Sequence, residues 1–225
     1  MYLKRSHFVA LMFSIMATLV ATAQSSSDVL KTIVQTPQIT TFFEGTFDHL
    51  GIEITDSDEQ LTLHHEGNHI RIEDGLDHGQ VDFVLQLNLT GIENLVKYTE
   101  DGVIDDNEAT RIARVFFTPF TRVTMQNPIL TENRKRKAAG IEDLIHVHLI
   151  FPDGTTAAAH TLIYASDQWI VIEDLVGTPK RVFKLQHGPA LEYQRKVFSA
   201  IKTDTRKGWI SFVRWYKTWR NVYSV

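Results

Sequence analysis

The sequence predicts an α+β fold in which antiparallel meander sheets are covered by helices. Three observations carry this. Two separate stretches alternate apolar and polar residues and are punctuated by Gly, Asp and Asn, the pattern of successive hairpins. Each is followed by segments whose apolar residues recur at three- and four-residue spacing, the pattern of amphipathic helices. The order strands-then-helices, found in both halves, belongs to α+β chains rather than to alternating βαβ units. No internal repeat is legible beneath that shared order.

The chain opens with Lys4 and Arg5, an apolar run from Phe8 to Val20, and Ala21-Thr22-Ala23. A basic start, a short apolar stretch and a small-x-small ending predict a signal peptide over 1–23, too short to favour a membrane span. Residues 24–41 are Ser-, Thr- and Gln-rich, which fits a lead-in segment or a short helix. An N-terminal α+β lobe is expected over 42–130. Its strands carry Phe47, Leu50, Ile52 and Ile54, then Leu61 and Leu63, then Ile70 and Ile72, then Val81, Phe83, Leu85 and Leu87, with "DSDE" and "EGN" as turns. A short helix follows with Ile92, Leu95 and Val96 on one stripe. A second helix starts at Asp105 or Asp106, which cap it, and Pro119 ends or bends it. Residues 131–143, with "RKRK" and a glycine, read as a basic connecting loop, either solvated or facing an anionic partner. The last section, 144–225, reads as a β-meander plus two helices, forming a second lobe or one domain with the first. Pro189 suits the first turn of the earlier helix.

Composition removes several functions. There is no cysteine, hence no disulfide, no thiolate nucleophile and no lipid-modified cysteine. Loss of Lys4 and Arg5 with the leader takes the net charge from -4 to -6, which argues against a nucleic-acid binder. No later stretch is long and apolar enough for a transmembrane segment in the mature chain. No G-x-S-x-G, P-loop or G-x-G-x-x-G is present. The expected location is the periplasm or the outside of the cell.

The stretch from Phe43 to Val96 holds an acidic turn ("DSDE") before a strand, a glycine turn ("EGN") before the next, Asp82 opening a fourth strand, and a short helix with a Leu-Val pair. In these features residues 42–100 resemble the sterol-carrier-protein lipid-transfer domains. The resemblance implies a sheet-and-helix tunnel for an apolar ligand, lined by generic apolar side chains, so no individual binding residue follows from it.

"LIHVHLIFPDGTTAAAHTLIY", residues 144–164, is the densest candidate for chemistry. Alternation places Ile145, Val147, Leu149 and Phe151 on a core face and His146 and His148 on the other. A three-residue Pro-Asp-Gly loop sets Phe151 opposite Thr155 and brings His160 opposite His146, so that three imidazoles share a face and converge on a zinc ion at about 2.1 Å. A two-residue Asp-Gly loop sends His160 to the opposite face. "HHEGNH" (His64, His65, His69) straddles a turn and lacks the helical zinc spacing. "KYTEDGVIDDNE" echoes the back half of a calcium loop but places Lys97 and Thr99 where carboxylates are needed.

The C-terminal helix carries Trp209, Phe212, Tyr216, Trp219 and Tyr223 at helical spacing, with cations and no acid after Asp204. Such a helix either rests on an anionic bilayer or partner through Trp209, Arg214, Trp215, Lys217, Trp219 and Arg220, or closes a sheet with its cations reaching outward. The leading expectation is an exported, non-catalytic module that holds an apolar small molecule or lipid in a sheet–helix cavity. The alternatives are a zinc enzyme using His146, His148 and His160, and a membrane or partner module using the C-terminal helix.

Overall fold

A computed structural model describes residues 26–34, 37–98, 103–127, 143–166 and 168–225. The expected signal peptide and almost all of the basic connecting loop lie outside these residues.

The fold is α+β, with two mixed, mostly antiparallel four-stranded sheets and six helices among the described residues. The first sheet holds β1 (His49–Ile54), β2 (Gln60–Glu66), β3 (His69–Asp74) and β4 (Phe83–Leu87). The second holds β5 (Asp143–Ile150), β6 (Thr156–Ala165), β7 (Gln168–Ile172) and β8 (Arg181–Leu185). Helices α1 (Ser26–Val34) and α2 (Pro37–Phe43) precede the first sheet. Next come α3 (Leu89–Lys97) and α4 (Asp106–Gln126), and α5 (His187–Thr203) and α6 (Arg206–Tyr223) close the chain.

The expected simple meander is corrected in one respect. The spatial orders are β3-β2-β1-β4 and β7-β6-β5-β8, so each fourth strand runs parallel to the first. Residues 75–82 are too many for a tight hairpin, and the chain crosses the outer face of the sheet to reach β1. A Cβ at Gly51 would lie 2.5 Å from Leu76 Cδ1 of that crossing segment. Residue 51 therefore stays a glycine so that the connection can lie flat on the sheet.

The two halves repeat one topology, which the sequence did not disclose. Each unit is a helix, three antiparallel strands, a fourth strand beside the first, and a second helix. The leading helix packs on the third strand and on the closing helix in both: α1 on β3 and α3, α4 on β7 and α5. Threonines mark equivalent positions. Thr62 Oγ1 donates to the Gly75 carbonyl at 2.8 Å, and Thr161 Oγ1 to the Asp174 carbonyl at 2.7 Å.

Helix α4 serves both sheets. Ile112, Phe116 and Phe120 enter the core of the first, and Ala113 and Phe117 enter the core of the second. It runs on past Pro119 to Gln126, so of the two outcomes expected of the proline, ending or bending the helix, the first does not occur. The missing N–H and the ring clash of an interior proline cost about 3 kcal/mol, which burial of both flanking stripes offsets. Its start is fixed by a capping box. Asp105 accepts from Glu108 N at 2.8 Å, and Glu108 Oε2 accepts from Asp105 N at 3.1 Å. Asp105→Ala is expected to cost about 1 kcal/mol, read as a lower urea midpoint at unchanged slope. The segment expected as a lead-in is likewise structural, since Val29, Leu30, Ile33 and Val34 of α1 and Ile39 of α2 are buried in the first core.

Candidate functional site

The β5–β6 hairpin combines both loop possibilities. Its loop is the three-residue form: Phe151 N donates to the Thr155 carbonyl at 2.8 Å, and Gly154 takes a positive φ of 86°. Ile150 then pairs with Thr156. One step further a bulge intervenes, and Leu149 pairs with Ala158. An extra residue on one strand shifts every later side chain by one position. His146 therefore lies opposite Thr161, and His160 lies opposite Val147 on the core face. The hairpin does not bring the three imidazoles together.

On the outer face, His146 is nearly buried, and its Nε2 lies 3.0 Å from the Val176 carbonyl, which places the proton on Nε2. The His148 ring sits 6.3 Å from that of His146, and burial followed by the nearby His146 and Lys184 lowers its pKa. The "HHEGNH" histidines also separate. His64 meets His49 Nδ1 at 2.9 Å, His65 packs edge-on against Phe47, and His69 pairs with Glu66 at 3.1 Å. Among the described residues no three His, Cys, Asp or Glu side chains stand where they could hold a metal ion.

On the inner face His160 is fully buried, and neither ring nitrogen has a hydrogen-bond partner among the described residues. Its ring lies 4.5 Å from that of Phe117. Burial, reinforced by the positive charge of Arg122 and by His148, pushes its pKa down to about 3, so the imidazole is neutral at ordinary pH.

His160 faces a cavity of about 270 Å³ between the second sheet and helices α4, α5 and α6. Val147, Leu162 and Phe183 form the sheet wall, and Phe117, Phe120 and Trp219 come from the helices. Thr121 and Thr124 also line it, but their hydroxyls donate back to the Phe117 and Phe120 carbonyls at 2.8 and 2.9 Å. Their methyl groups are what remains to meet an occupant. Tyr193 stands in the same wall, its phenol held uncharged by burial and then by neighbouring Tyr216. The exposed Lys217 and half-buried Arg181 and Arg220 belong to the lining, so the cavity reaches the surface through cationic residues. Among the described residues no Asp or Glu lines it.

Helix α6 turns most of its aromatic stripe inward. Trp209 and Trp219 are buried, Trp215 is half-buried, and Arg214 and Lys217 are exposed. The Trp209 indole donates to Asp204 Oδ1 and that of Trp215 to Glu192 Oε1, each at 3.2 Å. The buried Trp219 Nε1 has no hydrogen-bond partner among the described residues. No helix among the described residues is long and apolar enough to cross a membrane.

Sequence reasoning missed this site because its walls come from seven elements spread between Phe117 and Arg220. One signal was available: a histidine inside the apolar run "TAAAHTLIY" of a strand with a buried face. Comparison of the chain with family models, curated proteins and solved structures finds no match.

Proposed function

We propose that the protein is a non-catalytic, exported module that holds an apolar small molecule or a small lipid between its second sheet and the helices above it. The observation that carries this reading is the aromatic and aliphatic cavity, whose lining includes His160 and Trp219 with their buried, unpartnered ring nitrogens. Ligand sites are concave, largely apolar, and marked by a few polar groups that orient the occupant. At about 270 Å³ the volume falls near the lower end of such sites. It suits a small ring system or a short acyl chain rather than a two-chain lipid. The resemblance to sterol-carrier lipid-transfer domains points to the same class of occupant, although the cavity abuts the second sheet rather than the strands that carry the resemblance. The basic, apolar, small-residue leader supports export.

The test is direct binding. Solvent-extracted, refolded protein is titrated with naphthalene and followed by tryptophan fluorescence and calorimetry. Saturable one-to-one binding with a negative heat-capacity change is expected. Ala190 lines the cavity, and Ala190→Phe should fill part of it and weaken binding at least tenfold while the fold persists. No binding to the wild type, or equal binding to the filled variant, defeats the proposal.

A further inference from the structure

The two sheets allow the same position to be compared twice in one chain. In the first, Ile52 of β1 lies between Leu61 of β2 and Leu85 of β4. In the second, Val147 of β5 lies between His160 of β6 and Phe183 of β8. Strand order, pairing direction and the buried face are shared, so His160 stands where the first sheet has Leu61. Both side chains are almost fully buried.

The topology is thus satisfied by leucine at this place, and nothing in the strand pairing calls for an imidazole. A buried imidazole without partners destabilises a fold that would be content with an alkyl group. Buried polar groups in folded proteins are nearly always paired, so an unpaired one calls for an explanation. The cavity provides it, because His160 forms part of its wall. Trp219 repeats the pattern. Two other indoles of the same helix reach carboxylates, whereas Trp219 Nε1, buried in the same cavity wall, reaches nothing.

The groups on offer define the occupant. A neutral imidazole presents one N–H donor and one acceptor nitrogen, and an indole presents a donor alone. We infer that the bound molecule carries an uncharged oxygen at its buried end, a hydroxyl or a carbonyl, which takes its hydrogen bonds from His160 and Trp219. A carbonyl accepts from both ring N–H groups, and a hydroxyl accepts from the indole while donating to the acceptor nitrogen of the imidazole. A carboxylate or phosphate at that depth would lose its hydration, and Arg122, whose charge reaches His160, is already paired with Glu173 at 2.6 Å, so anionic groups belong at the mouth with Arg181, Lys217 and Arg220. This inference rests on the cavity being a ligand site.

The experiment compares 2-naphthol with naphthalene, two probes of one shape that differ by a single hydroxyl. Dissociation constants are measured at neutral pH for the wild type, His160→Leu and Trp219→Phe. The expected result is that the ratio of naphthol to naphthalene affinity falls at least tenfold in His160→Leu and also falls in Trp219→Phe, while naphthalene itself still binds. The leucine is the residue the first sheet carries at the equivalent position, so the variant is expected to fold. A ratio unchanged in His160→Leu overturns the inference and leaves the apolar site standing. Failure of the wild type to bind either probe overturns both.

Discussion

His160→Leu is expected to raise stability at pH 7 and to flatten the loss of stability in acid. The first effect follows from removing a fully buried imidazole whose two nitrogens lack partners. Leaving such a group unsatisfied costs about 1–3 kcal/mol, and leucine does not carry that cost. The second effect follows from proton linkage. In the unfolded chain the imidazole takes up its proton near pH 6.5, whereas in the fold it stays neutral down to about pH 3. Between those values the unfolded state binds the extra proton, so stability is fully present above pH 6.5 and is lost as pH falls toward 3. The whole loss is on the order of 5 kcal/mol, and roughly 3 kcal/mol of it accrues by pH 4. His148, also lowered by burial, acts in the same direction. Glu66, Glu73 and Asp153 are held below their usual range, first by hydrogen bonds from Arg71, Arg71 and Thr155, and they lose their contribution only in stronger acid. Urea unfolding of both proteins at pH 7, 5.5 and 4 separates these sources, because the carboxylates and His148 remain in the variant. The difference between the two proteins should widen steadily toward acid. Curves that run parallel across this range contradict the linkage.

The same residue shows how far the sequence could be read. Alternation alone placed Ile145, Val147, Leu149 and Phe151 on a buried face; the first three are buried and Phe151 is half-buried. The turn chemistry of "PDG" was legible as well, and Gly154 adopts the left-handed conformation that a three-residue loop needs. What the sequence could not show was the bulge beyond the loop, which undoes the register that the loop sets. Nothing distinguishes Ala157 from Ala158 or Ala159 in the string "TTAAAH", yet the extra residue among them decides which face His160 occupies. Three alanines supply no side chain large enough to fix the register. Packing of Leu162 and Tyr164 further along the strand fixes it instead.

The repeat escaped notice for a related reason. Equivalent positions carry unlike residues: Gly51 matches His146, Leu61 matches His160, and Phe83 matches Arg181. The most similar strings, Ile70–Asp74 ("IRIED") and 170–174 ("IVIED"), are out of step by one residue in the structure. Leu63 pairs with Ile72 in the first sheet, and its counterpart Leu162 pairs with Val171 in the second. Backbone pairing is the same in both sheets, while the inner face is apolar in the first and a mixture with His160 and Arg181 in the second. The reach of α4 is similar. Its stripes at 112, 116, 120 and at 113, 117 were visible as apolar spacing, but only packing showed that each stripe belongs to a different core.

Removal of residues 206–225 is expected to abolish cooperative folding, and this result decides what the aromatic C-terminal helix is for. Trp209 and Phe212 are buried in the first core and Trp219 in the second, so α6 ties the two sheets together. Truncating one such side chain costs about 3–5 kcal/mol. Losing three at once approaches or exceeds the total of about 5–15 kcal/mol that holds a typical domain folded. The chain end adds to this. Val225 and Val182 exchange backbone hydrogen bonds at 2.8 and 3.3 Å, and Ser224 bridges Phe183, so deletion also strips the outer edge of β8. Near-ultraviolet circular dichroism and urea unfolding should show the loss of fixed aromatic packing and of a single transition. A folded remainder would mean that the helix is an appendage. A role on membranes is then separable by charge alone. Arg214 and Lys217 are exposed, so Arg214→Glu with Lys217→Glu should change stability by no more than about 0.5 kcal/mol. If α6 also rests on anionic bilayers, that double variant should release the protein from phosphatidylserine vesicles at low salt. Equal vesicle binding by wild type and variant, or none by either, leaves α6 as a structural clamp and as one wall of the cavity.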